Sequence, residues 1–155
     1  MPKVAELYRH PVKSFTPERR REMRVVDGRV AGDRVLAFRF ANKGPADDWK
    51  WQTKNNFVVL VNTPGMALLE LGFDEVSRVL SLRFDGELFV EGSIDSEEGR
   101  TDLCEAVGEY VTSLDDNPLV GHSERVPLKL VGDGRRGLFH DTAAGGMTAY
   151  GSESL

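Results

Sequence analysis

The sequence predicts a mostly β fold, α+β in class. Antiparallel strands gather into a small barrel-like domain, with one main helix at about 96–114 and a short one at about 64–71. Three observations carry this. Leu80, Leu82 and Phe84 alternate with Ser81 and Arg83, Asp85-Gly86 turns the chain, and Leu88 and Val90 alternate with Glu87, Phe89 and Glu91 on the return. An Asp-Gly pair between alternating runs is a two-residue hairpin, because both turn residues must accept positive φ. Short apolar runs at 4–12, 23–26, 30–40, 57–61 and 128–131 are bounded by turn residues, as strands are. Residues 95–114 carry a helical period instead, with Leu103, Val107, Tyr110, Val111 and Leu114 on one face.

In order, 4–12 reads as a strand in which Val4, Leu7 and Tyr8 supply bulk and Pro11 marks an end or an edge. Lys13 and Ser14 follow where it opens into a loop. Met23, Val25 and Val26 form a second strand closed by the turn pair Asp27-Gly28. The run 30–40 is the best long strand, with Gly32-Asp33 suggesting a bulge near its start. Residues 42–50 are a loop, 51–53 a short strand and 57–61 a buried one. Thr63 as cap and Pro64 at the first helical position open the short helix; Met66, Leu68, Leu69 and Leu71 give its apolar face and Gly72 its stop. Ser96 caps the main helix, with Glu97 and Glu98 in the first turn where the dipole favours negative charge. Ser152-Glu153-Ser154-Leu155 reads as a helix start, either a frayed tail or the beginning of something longer.

Composition narrows the function. The chain has 155 residues, one domain's worth, and a formal net charge of -5. That acidity argues against nucleic acid as partner, so any anion site is a local patch. A single cysteine, Cys104, permits no intrachain disulfide and fits a reducing compartment. No apolar run approaches the roughly 20 residues that span a bilayer, and 1–8 lacks a signal-peptide core. The expected compartment is the cytoplasm, with no membrane partner.

Few motifs carry chemistry by themselves. Gly132-Asp133-Gly134-Arg135-Arg136-Gly137 matches the spacing G-x-G-x-x-G, but no helical period follows to present its amides to a pyrophosphate, so it reads as a turn. His10, His122 and His140 lack the spacing of zinc ligands. His140-Asp141 reads as a surface loop pair, and Cys104 as a packing residue within the helix. Arg19-Arg20-Arg21 reads as a solvated loop or an edge-strand gatekeeper, and Trp49 and Trp51 as a half-buried aromatic pair. Lys13, Ser14 and Arg34 are the donor types that hold a phosphate-like anion, and their two segments are expected to meet in space.

The pattern Leu7-Tyr8-Arg9-His10-Pro11-Val12-Lys13-Ser14, then Gly28, Gly32-Asp33-Arg34 and Gln52-Thr53-Lys54, resembles the N-terminal β-barrel domain of MOSC proteins, the family of molybdenum cofactor sulfurases and amidoxime-reducing components. The family form reads roughly Y-P-V-K-S, G-x-x-x-D-R and T-Q-R; the last motif departs here. The resemblance implies a barrel domain over 1–138 and, at 139–155, the first residues of a MOSC domain. It implies that Lys13, Ser14 and Arg34 contact the phosphate of the molybdenum cofactor (Mo-molybdopterin), with Ser152 a further contact. The metal-ligating or sulfur-carrying cysteine belongs downstream in such proteins, and Cys104 is not its match. On this reading the chain is a non-catalytic cofactor- or substrate-binding module of a molybdenum-cofactor oxidoreductase or sulfurtransferase-type enzyme. Its partners are the C-terminal MOSC domain and redox proteins, and no cofactor is expected on this chain alone. Two rival readings are a protein–protein interaction module, in which Lys13 is merely exposed, and a small barrel binding single-stranded nucleic acid through Arg19–Arg21 and the tryptophans.

Overall fold

The computed structural model describes residues 3–45 and 47–140. They form a mostly β structure whose ladders are antiparallel, with one α-helix among the described residues. β1 (Leu7–Arg9) pairs with β2 (Glu18–Arg20), β3 (Val25–Val26) with β4 (Arg29–Val30), and β5 (Ala37–Arg39) pairs across the fold with β9 (Lys129–Val131). The largest sheet is a meander of β6 (Leu69–Asp74), β7 (Val79–Phe84) and β8 (Glu87–Ser93). The described strands do not close into a barrel; their pairing falls into these four ladders.

The reason lies largely in 30–40. The expected long strand is broken into β4 and β5, because Gly32 at φ 80 and Arg34 at φ 49 are left-handed and cannot sit in a ladder. The expected strand at 57–61 is also shorter: Phe57 bridges Arg39 and Val58 donates to the Phe38 carbonyl at 2.9 Å, but Leu60 and Val61 turn outward into solvent. Residues 51–53 form no strand. The expected helix at 64–71 is a correction as well. A 3₁₀ turn at Pro64–Leu68 gives way to β6, where Leu69, Leu71 and Phe73 are buried and Glu70 and Asp74 exposed. That alternation is the two-residue period of a strand. Pro64 opens the turn as expected, but the Thr63 hydroxyl bonds to Asn62 and caps nothing.

The hairpin of 80–90 is present. Asp85 at φ 52 and Gly86 at φ 79 make the turn between β7 and β8, and Asp27 and Gly28 repeat the device between β3 and β4. The register slips after Leu82, which pairs with Val90 while Arg83 pairs with Leu88. Phe89 is therefore an extra residue on β8, a bulge that carries its ring edge-on to Tyr110 at 5.9 Å.

The helix α1 (Glu97–Ser113) begins at Ser96, whose hydroxyl accepts from the Gly99 amide at 2.9 Å. Leu103, Cys104, Val107 and Val111 bury its apolar stripe against the meander. A second apolar cluster joins Ala37, Phe57, Val59, Val131 and Phe139, so the packed body continues at least as far as Phe139 and His140.

Candidate anion-binding site

The segment after β1 runs parallel to the segment before β5. The Pro11 carbonyl accepts from Val35 N at 2.9 Å and from Leu36 N at 3.1 Å. Lys13 N donates to the Leu36 carbonyl at 2.9 Å, and Arg34 N donates to that of His10 at 2.6 Å. The two segments that bear Lys13, Ser14 and Arg34 are thus joined by four backbone hydrogen bonds. Asp33 adds a fifth link: one carboxylate oxygen accepts from His10 N at 2.8 Å and the other from the Arg34 guanidinium at 2.7 Å.

A third strand of chain, 136–140, closes the cluster. Phe139 N donates to the Arg34 carbonyl at 3.0 Å, and the Lys13 ammonium donates to the Phe139 carbonyl at 3.1 Å. Arg29 donates to the Gly137 carbonyl, and the Trp51 indole to the His140 carbonyl at 3.1 Å. His140 is buried, with Lys13, Arg29, Arg34 and Asp33 all acting on its imidazole. Burial holds that imidazole below its ordinary 6.5; Asp33 pulls the other way, and the three cations add to the lowering. Burial lowers His10 too, reinforced by Arg34, although its Nδ1 lies 3.1 Å from the Phe15 carbonyl.

The three expected contacts have different surroundings. Ser14 is half-buried and occupies the left-handed position of a turn closed by Phe15 N and the Val12 carbonyl. The Arg34 side chain is 35% exposed, so its guanidinium faces solvent beyond the Asp33 pairing. Lys13 is 3% exposed and supplies its charge from beneath. Lys54, of the third motif, is exposed on a 3₁₀ turn. Ser152 lies outside the described residues.

The reading of His140-Asp141 as a surface loop pair is corrected for His140, which is buried, while Asp141 lies outside the described residues. The only signal for the burial of His140 was the neighbouring apolar step Leu138-Phe139, which places it against a core. Elsewhere the bland readings stand. Cys104 accepts from Leu130 N at 3.1 Å, and burial pushes its thiol up to about 11, which leaves no thiolate for chemistry. Gly132–Gly137 is a turn, in which the Asp133 carboxylate accepts from the amides of Arg135 and Arg136. Arg20 and Arg19 lie on β2, with Arg19 paired to Glu6 at 2.9 Å. No group of three or more His, Cys, Asp or Glu suited to a metal ion occurs among the described residues. None of their helices is long and apolar enough to cross a membrane.

No family model, curated protein or solved structure matches the chain.

Proposed function

We propose that this chain is the N-terminal module of a MOSC-type molybdenum-cofactor protein, and that Ser14 and Arg34, backed by Lys13, hold the phosphate monoester of the pterin cofactor. The observation that carries it is conformational. Five described non-glycine residues have positive φ: Ser14, Asp27, Arg34, Arg78 and Asp85. Asp27 and Asp85 belong to Asp-Gly hairpins, and Arg78 ends the β6–β7 turn with its guanidinium on Asp95. Ser14 takes the left-handed position of the turn closed by Phe15 N and the Val12 carbonyl, Arg34 does so beside the Asp33 carboxylate it donates to, and both lie on segments bonded side by side. Strain over-determined by its surroundings concentrates where ligands are held.

The donor set suits the group. A part-exposed guanidinium and the hydroxyl of a half-buried serine are the donors, a buried ammonium adds charge, and Asp33 fixes the guanidinium. When bound, the cofactor supplies the redox or sulfur-transfer centre; this chain's residues bind and orient its phosphate. On this reading the four ladders are walls of the family's barrel, Ser152 adds a contact, and a MOSC domain and redox proteins are the partners. The rival with an exposed Lys13 loses its premise, since that side chain is buried. A stacking platform for nucleic acid is disfavoured because Trp49 lies under Arg136 at 5.5 Å and Trp51 bonds to His140.

Calorimetry with a pterin phosphate monoester and the same pterin without its phosphate tests the reading. The phosphorylated compound binds more tightly, and Arg34→Ala weakens it by about 10- to 100-fold, the range for a lost charged hydrogen bond. Equal affinity for both compounds, or an Arg34→Ala variant that binds like the parent, sinks it.

A further inference from the structure

Nε2 of His140 is buried and makes no hydrogen bond, and the residue itself is 8% exposed. A buried polar atom left without a partner costs about 1–3 kcal/mol, so it calls for an explanation. The surroundings offer one. Lys13, Arg29 and Arg34 outnumber Asp33 around the ring, and the Trp51 indole holds the residue by its carbonyl. Gly137 lies over Nε2: a Cβ built there would stand 3.1 Å from that atom and 3.1 Å from the Asp33 carbonyl oxygen. Among the described residues of this cluster, the one buried side-chain polar atom without a hydrogen-bond partner is therefore next to a residue with no side chain, in the midst of its cations.

We infer that His140 is a further binding residue of this site, its Nε2 giving a hydrogen bond to an oxygen of the dianionic phosphate monoester held by Ser14 and Arg34. The inference rests on the anion reading above and adds a consequence to it. A dianion beside the ring favours the imidazolium that burial and the neighbouring cations disfavour, so anion binding draws a proton onto His140. Lowering the pH then tightens binding.

The test uses the whole chain and sodium sulfate, whose charge is constant over the range used, with histidine ring signals followed by NMR. Sulfate shifts the His140 ring saturably and binds several-fold more tightly at pH 5.5 than at pH 8, towards the limit of about tenfold that one unit of pKa change allows. His140→Gln removes most of that pH dependence, His10→Gln keeps it, and Gly137→Ala weakens binding at both pH values with unchanged circular dichroism. Saturable shifts at the Ser14 and Arg34 amides with a silent His140 ring, or full pH dependence in His140→Gln, would overturn the inference while leaving the proposed function standing. Sulfate seated on His140 with no binding of the phosphorylated pterin would do the reverse. No sulfate binding at all removes the inference.

Discussion

Ser14 holds φ 63 without being glycine, asparagine or aspartate. Such a backbone costs about 1 kcal/mol, which glycine does not pay. Ser14→Gly is therefore expected to raise the melting temperature by about 2–4 °C, as that energy does in a chain of this size, while weakening the phosphorylated pterin. A melting temperature that falls would show the conformation to be unstrained. That Lys13 and Arg34 come together was legible from their motifs, but their environments were not. A lone basic residue reads as solvated, and here several are interior clamps. Arg39 donates to the carbonyls of Asp48 at 2.6 Å and Gly44 at 3.1 Å, and Arg100 to those of Leu130 at 2.7 Å and Gly132 at 2.6 Å. Arg9, 2% exposed, pairs with Glu18 and Glu75. Nothing in composition separates a guanidinium that ties loops together from one that greets a ligand; only its partners do.

At the scale of elements, legibility followed the strength of the local code. The Asp85-Gly86 hairpin and α1 announce themselves because turn chemistry, capping and period agree. β6 does not, because Met66, Leu68, Leu69 and Leu71 fit a short helical face about as well as a strand. The choice is made by tertiary contacts: the Thr16 hydroxyl bonds both the Leu69 carbonyl and the Leu71 amide, and Glu18 accepts from Phe73 N. These side chains satisfy an edge that a helix would not present. Gly99 shows the same override. Helix propensity alone predicts that Gly99→Ala stabilises by about 1 kcal/mol. A Cβ there would stand 2.2 Å from the Ser93 carbonyl oxygen, so α1 would have to leave β8. Gly99→Ala is expected to lower the urea midpoint; a rise would mean that the helix does not lie so close to the sheet.

For the molecule as a whole, the two apolar clusters meet around the joined segments 10–15 and 33–40, with Val12, Phe15, Val35 and Phe38 in one and Ala37 in the other. The candidate site is thus anchored in the core, and its titration is felt as stability. His10 and His140 both titrate below 6.5 when folded, so the unfolded chain takes up more protons as pH falls through that value. Stability should be full above about pH 7 and decline from there towards pH 5. The carboxylates of Asp74, held down by the Ser77 amide, and Asp95, held down by Arg78, lie below 3.8 and act only in stronger acid. Denaturant midpoints between pH 7.5 and 5 check this: the decline should shrink in His140→Gln, and a stability independent of pH there would remove the buried neutral imidazoles from the account. The barrel expected from the sequence does not close among the described residues: closure depends on how ladders join, and the run 30–40 is broken by the left-handed Gly32 and Arg34.

The most direct measurement is a backbone amide map of the full chain titrated with a pterin phosphate monoester. The account predicts saturable shifts clustered at Lys13, Ser14, Arg34 and Phe139, absent in Arg34→Ala. Shifts centred elsewhere, or a map unchanged by that substitution, would contradict it.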